Sequence, residues 1–94
     1  MQLLGLLKLD AYIKAHSDAR GALNAWRAEV EKALWSNPQD IKNTYSSASF
    51  LAENKVIFNI KGNKHRLVVK VRYQSGTVLI EWIGTHADYS KQSF

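Results

Sequence analysis

At Lys55 the spacing of apolar residues changes from the 3.6-residue period of an amphipathic helix to strict alternation, and this switch limits the fold more than any other feature. A chain that is helical in its first half and strand-forming in its second must lay one layer on the other to bury both apolar faces. Three strands are predicted after Lys55, at about Val56 to Lys61, His65 to Tyr73 and Thr77 to Ile83. Gly62-Asn63 and Ser75-Gly76 are turn signals between them, so an antiparallel meander is expected. Alternation then divides the middle strand, with Leu67, Val69, Val71 and Tyr73 on one side and Lys64, Arg66, Val68, Lys70 and Arg72 on the other. Val56, Phe58 and Ile60, and then Val78, Ile80 and Trp82, are expected to extend the apolar side across the sheet.

In the helical half, Leu9, Tyr12, Ile13 and His16 place a short helix at about Lys8 to His16. The apolar run before it, Met1 to Leu7, falls far short of the roughly 20 residues that span a bilayer. It also lacks a basic leader, so it reads as a buried first strand or a helix start. Ser17-Asp18 is the expected N-cap of a second helix at about Ala19 to Trp35, whose core stripe is Leu23, Trp26, Val30, Ala33 and Leu34. Asn37 and Pro38 are placed to open a third, short helix anchored by Ile41, with a polar loop from Asn43 to Ser49. Ninety-four residues support a single domain, 1–94. The expected class is α+β, with two N-terminal helices packed on one face of a small, twisted, antiparallel-rich sheet.

The other face of that sheet is expected to be open and basic. Residues 1 to 54 carry six Lys or Arg against six Asp or Glu, whereas residues 55 to 94 carry seven against two and hold the whole net charge of +5. A localised positive field suits a polyanion. The plain alternative is a lysine-rich solubilising surface. There is no cysteine, which removes disulfides and thiolate metal sites and fits a reducing cytoplasm.

Chemistry is equally bounded. The sequence has no spaced carboxylate pair, no compelling Ser-His-Asp pattern and no glycine-rich phosphate loop. Its three histidines, His16, His65 and His86, fall on different elements without a carboxylate cluster, so neither a zinc site nor any other cofactor is expected. His86, just past the last strand, lies where a loop can bring an imidazole to the basic face, and imidazole both gives and takes protons near neutrality. RNA fits this inventory, because its own 2′-OH can attack the adjacent phosphate and the protein need only move protons and stabilise charge.

Three stretches carry a family likeness: Ala33-Leu34-Trp35-Ser36-Asn37-Pro38, the run Phe58-Asn59-Ile60-Lys61-Gly62-Asn63-Lys64-His65-Arg66-Leu67, and Trp82-Ile83-Gly84-Thr85-His86-Ala87-Asp88-Tyr89. Together they resemble the HigB-type toxins of bacterial type II toxin–antitoxin modules, within the RelE/ParE-like group. The resemblance implies a metal-independent mRNA interferase that cleaves translated message on the ribosome in the cytoplasm. It also implies silencing by a helix-turn-helix, HigA-like antitoxin, through which alone operator DNA is reached. Carried to matching positions, Arg66 stabilises phosphate charge, His86 is the general acid or base, Tyr89 orients the nucleotide or assists proton transfer, and Lys64 is a second phosphate contact. Asn63, Lys70, Arg72 and Lys91 are the expected RNA-binding residues. Two departures stand out, His65 in place of the usual Tyr and Ser90 in place of the Asp that usually follows the Tyr.

Blander readings stay open beside these. Arg66 and Lys64 can be surface charges flanking a hairpin, Tyr89 can pack the C-terminal turn, and His86 can belong to a helix capped by Thr85. His65 has the parity of Leu67, which favours a buried structural role over catalysis, and His16 reads as a helix C-terminal partner. Trp35 and Trp82 are expected in the core rather than as base-stacking surfaces. A non-catalytic module that binds RNA or an acidic partner through the same face is the alternative function, and a ParE-like protein target such as gyrase is a third.

Overall fold

The computed structural model describes residues 1–93. In chain order it contains β1 (Gln2–Leu4), α1 (Leu6–Ala15), a 3-10 turn at Ser17–Ala19, α2 (Arg20–Lys32), α3 (Pro38–Thr44), β2 (Ser49–Phe50), β3 (Lys55–Ile60), β4 (His65–Arg72), β5 (Thr77–Thr85) and α4 (His86–Tyr89). The five strands form one sheet in the order β1-β5-β4-β3-β2. Strands β3, β4 and β5 are the expected antiparallel meander. The apolar opening of the chain resolves as β1, which runs parallel to β5 and makes the sheet mixed. Gly5 turns β1 into α1 with φ +84, and a Cβ there would lie 2.9 Å from the Ile80 carbonyl oxygen. Only glycine combines that backbone conformation with so close an approach.

One apolar cluster joins the helices to the sheet. Leu9 and Tyr12 of α1 and Leu23, Trp26 and Val30 of α2 share it with Val56, Phe58 and Ile60 of β3, Leu67, Val69 and Val71 of β4, and Val78 and Ile80 of β5. These are the positions that the two periodicities assign to the core. Trp26 meets Phe58 edge-on, with ring centroids 5.4 Å apart. At about 1.5–3 kcal/mol for each large side chain buried, the helical stripe and the sheet face hold one another in place.

The second helix departs from expectation at both ends. It stops at Lys32, Ala33 is extended (φ −72, ψ 151), and Leu34 is 90% exposed instead of lying on the core stripe. Extending the backbone there lets the larger Trp35 fold back into the core, where it stacks on Phe58 at 6.2 Å. At the other end Ser17-Asp18 does not cap the helix: the N-cap position is Ala19 and no side chain bonds there. The Asp18 carboxylate goes instead to the buried His65 imidazole, 3.0 Å away. Satisfying the buried imidazole N–H outweighs capping the helix, because water can serve the exposed donors of the first turn but cannot reach His65.

Helix α3 starts as anticipated. Asn37 Oδ1 accepts from the Asp40 N–H at 3.1 Å, Pro38 occupies the first turn, and the Asp40 carboxylate accepts from the Ser36 N–H at 2.8 Å. Asn37→Ala is expected to lower stability by about 1 kcal/mol, read as a smaller urea midpoint at unchanged slope.

The strand-face pattern breaks once. Val68 faces Trp82 and Val69 faces Ile80, so Glu81 is an extra residue in β5 with no opposite number. Such a bulge reverses the alternation beyond it. Ile83, opposite Leu67, therefore packs against the core, and Trp82 passes to the far face with Val68. The expected core position of Trp82 is thus corrected.

Candidate active site

The far face of the sheet is built in three rows by strand register. Lys55, Lys70 and Leu79 lie side by side at one end, Ile57, Val68 and Trp82 in the middle, and Asn59, Arg66 and Gly84 at the other end. The face is cationic but not uniformly polar, since Ile57 and Val68 are buried on it. Lys55 and Lys70 are direct cross-strand neighbours, an arrangement that repels. Glu81, freed by the bulge, offsets this with its carboxylate 3.8 Å from Lys55 Nζ.

At the Arg66 end, β5 runs directly into α4. Thr85 Oγ1 accepts from the Asp88 N–H at 3.1 Å and caps the short helix, as its position suggested. The His86 N–H donates to the Lys64 carbonyl at 3.0 Å, which ties the start of α4 to the β3–β4 turn. Tyr89 is carried back over the sheet, and its ring lies 4.6 Å from the Arg66 guanidinium carbon. Half-buried cation–aromatic contacts of this kind contribute about 0.5–2 kcal/mol. Arg66 forms no ion pair with a carboxylate among the described residues, and its Nε is buried without a hydrogen-bond partner there. Among the described residues its donors are not committed to an anion.

The structure therefore gathers Arg66, Tyr89, His86 and Lys64 at one end of β4. Arg66 sits opposite Gly84, and His86 lies two residues further along, against Lys64. The side chains of His86, Lys64 and Asn63 are exposed, and so is that of Lys91, just beyond α4. Lys70 and Arg72 stand at the opposite end of the strand, roughly 13–20 Å from Arg66 at about 3.3 Å per residue. There they line a concave surface with Asn54, Tyr73, Gln74 and Ser75.

Behind this face lies a polar assembly that the sequence did not reveal as a unit. His65 is 3% exposed, with Tyr12 Oη 2.6 Å from its Nδ1 and Asp18 Oδ2 3.0 Å from its Nε2. An ionised carboxylate only accepts, so Nε2 carries the proton and Nδ1 accepts from the phenol. The hydrogen bond from His65, with the charge of Lys61 nearby, holds the Asp18 carboxyl below the usual range. Burial, then the charges of Asp18 and Asp88, push the Tyr12 phenol up to about 12. His16, the C-cap residue of α1, stacks on Tyr12 at 4.0 Å. Parity pointed to a buried His65; no local pattern ties it to Asp18, 47 residues away.

The chain is a small α+β protein with a five-stranded mixed sheet, consistent with a RelE-like toxin fold. The HigB toxin family model, described as the RelE-like toxic component of a toxin-antitoxin system, matches residues 19–92, and the chain belongs to that family. Membership implies an antitoxin partner. No curated protein matches the chain. No helix among the described residues is long and apolar enough to cross a membrane.

Proposed function

We propose that the chain is an mRNA interferase, a metal-independent endoribonuclease that cuts translated message on the ribosome in the cytoplasm. The observation that carries this reading is the Arg66–Tyr89 stack, with the His86 backbone pinned to Lys64 beside it, on a cationic sheet face. Arg66 and Lys64 contact the scissile phosphate and offset the charge that builds on its equatorial oxygens. His86 removes the proton from the attacking 2′-OH or delivers one to the departing 5′-oxygen, and Tyr89 orients the nucleotide or assists the second transfer. The 2′-oxygen bonds to phosphorus as the bond to the 5′-oxygen breaks, leaving a 2′,3′-cyclic phosphate and a 5′-hydroxyl. The nucleophile belongs to the substrate, so the reaction does not call for a metal-bound water.

Asn63, Lys70, Arg72 and Lys91 contact the RNA backbone on either side. The antitoxin partner is a helix-turn-helix, HigA-like protein, and it alone contacts operator DNA. Primer extension on actively translated mRNA, with chelator present, tests the activity. The chain is expected to produce discrete cuts, and His86→Ala to reduce them about 10²–10⁴-fold. Salt-sensitive RNA binding without any cut by the wild-type chain would establish the non-catalytic module instead.

A further inference from the structure

We propose that Asn59 is a positioning residue for the cleavage reaction, whose side-chain oxygen takes the Arg66 Nε–H when the guanidinium turns to the scissile phosphate. This deepens the reading above and rests on it. The register sets Asn59 of β3 directly opposite Arg66 of β4, so both side chains stand on the far face of the sheet in one row. Directly opposed residues of antiparallel strands hold their Cβ atoms about 4.5–5.5 Å apart, within the combined reach of a carboxamide and a guanidinium arm. Each of the two carries a buried polar atom without a hydrogen-bond partner among the described residues, the acceptor Oδ1 on Asn59 and the donor Nε on Arg66. Buried polar atoms are rarely left unpaired, because water no longer compensates them. Here an acceptor and a donor on the same rung of the sheet complement one another.

The other contacts of these side chains leave room for that bond. The Asn59 amide nitrogen donates to the Ser47 carbonyl at 3.3 Å, at the long, weak end of the range. The Arg66 guanidinium rests against the Tyr89 ring, a contact that does not fix where its N–H groups point. Bonding Nε leaves the two outer nitrogens for phosphate oxygens and sets the plane in which they lie. The neutrality of the carboxamide matters, since a carboxylate at this position would pair with the guanidinium and offset the charge that the phosphate requires. Asn59 supplies direction without cancelling charge, and it acts through Arg66 rather than on the RNA.

Single-turnover primer extension on translated mRNA, over a range of toxin concentrations, tests this role. Asn59→Ala is expected to lower the saturating rate about tenfold, the scale of one lost hydrogen bond, while the concentration at half-saturation stays as in wild type. In the Arg66→Ala background the same substitution is expected to cost nothing further, because its effect passes through that side chain. A general loosening of the strand would instead slow both backgrounds by the same factor. Asn59→Thr, whose branched side chain suits a strand but whose hydroxyl is one bond too short to reach, is expected to lose the same rate as Asn59→Ala. The urea midpoint shows that each variant is folded, and the threonine variant carries the comparison if the alanine variant is not. A folded variant overturns the positioning role if it cuts at the wild-type rate, binds more weakly at unchanged rate, or loses the same factor with and without Arg66. Those outcomes leave the RNA reading intact, because the wild-type chain still cuts. A wild-type chain that does not cut message removes that reading, and the positioning role with it.

Discussion

Arg66→Ala is expected to lower message cleavage at least about a hundredfold, the usual consequence of removing one donor from a site that stabilises developing negative charge. The size of the effect follows from the position of the side chain. Its Nε is buried and its guanidinium lies on the Tyr89 ring, so the cation acts in a partly water-excluded setting where charge interactions are stronger than in bulk solvent. Exposed Lys64 keeps a positive charge nearby but does not replace a planar, preoriented fork. Arg66→Lys should therefore recover only part of the loss. Single-turnover primer extension across a range of toxin concentrations separates the possibilities. A fall in the saturating rate places Arg66 at the reacting phosphate, whereas an unchanged saturating rate with weaker binding makes it a backbone contact. A folded Arg66→Ala protein that cuts as fast as wild type would remove Arg66 from the site altogether.

The two periodicities made most of the sheet and its core readable. Leu67, Val69, Val71, Val56, Phe58, Ile60, Val78 and Ile80 are buried as alternation required, and the cationic residues of β4 share the opposite face. Alternation failed at one residue. Nothing in the run Leu79-Ile80-Glu81-Trp82-Ile83 announces which position is the extra one, because an apolar strand tolerates either register. The error moved Trp82 from the core to the cationic face. Trp35 and Leu34 show the same limit on the helical side. Both fit the helical stripe by spacing, and only the tertiary packing of the indole on Phe58 decides that the helix stops first. Local pattern placed Arg66, His86 and Tyr89 near one another because two of them follow β5 directly and the third is opposite it. It could not supply the Tyr12–His65–Asp18 assembly, whose members come from three distant segments and meet only when the core closes.

That assembly supports the second large prediction. His65→Ala is expected to cost about 3 kcal/mol, because it leaves a cavity, removes a charge-assisted hydrogen bond and strands the buried Tyr12 hydroxyl without its acceptor. Against a total of about 0.05–0.15 kcal/mol per residue, this is a large share of the stability of the chain. The pH dependence identifies the mechanism. The Asp18 carboxyl is held down in the folded protein, so its contribution is present above the unfolded value near 3.9 and is lost as pH falls through the folded value. Asp18→Asn should therefore lower the urea midpoint at neutral pH, and the gap from wild type should close below about pH 4. The Tyr12 phenol is displaced upward to about 12, so its contribution is complete below about pH 10 and fades as pH rises toward that value. Tyr12→Phe should remove that part of the alkaline loss, leaving what Tyr45 and Tyr73 contribute, since burial raises both phenols as well. A gap between wild type and Asp18→Asn that is constant from pH 7 to pH 2 would mean that the carboxylate does not take part. The consequence reaches the site, because His65 lies between Lys64 and Arg66 on the chain and faces Thr85, the residue that caps α4. Loosening His65 should shift β4 against α4, so a His65 variant that remains folded should also cleave message more slowly, without any group that touches RNA having been removed.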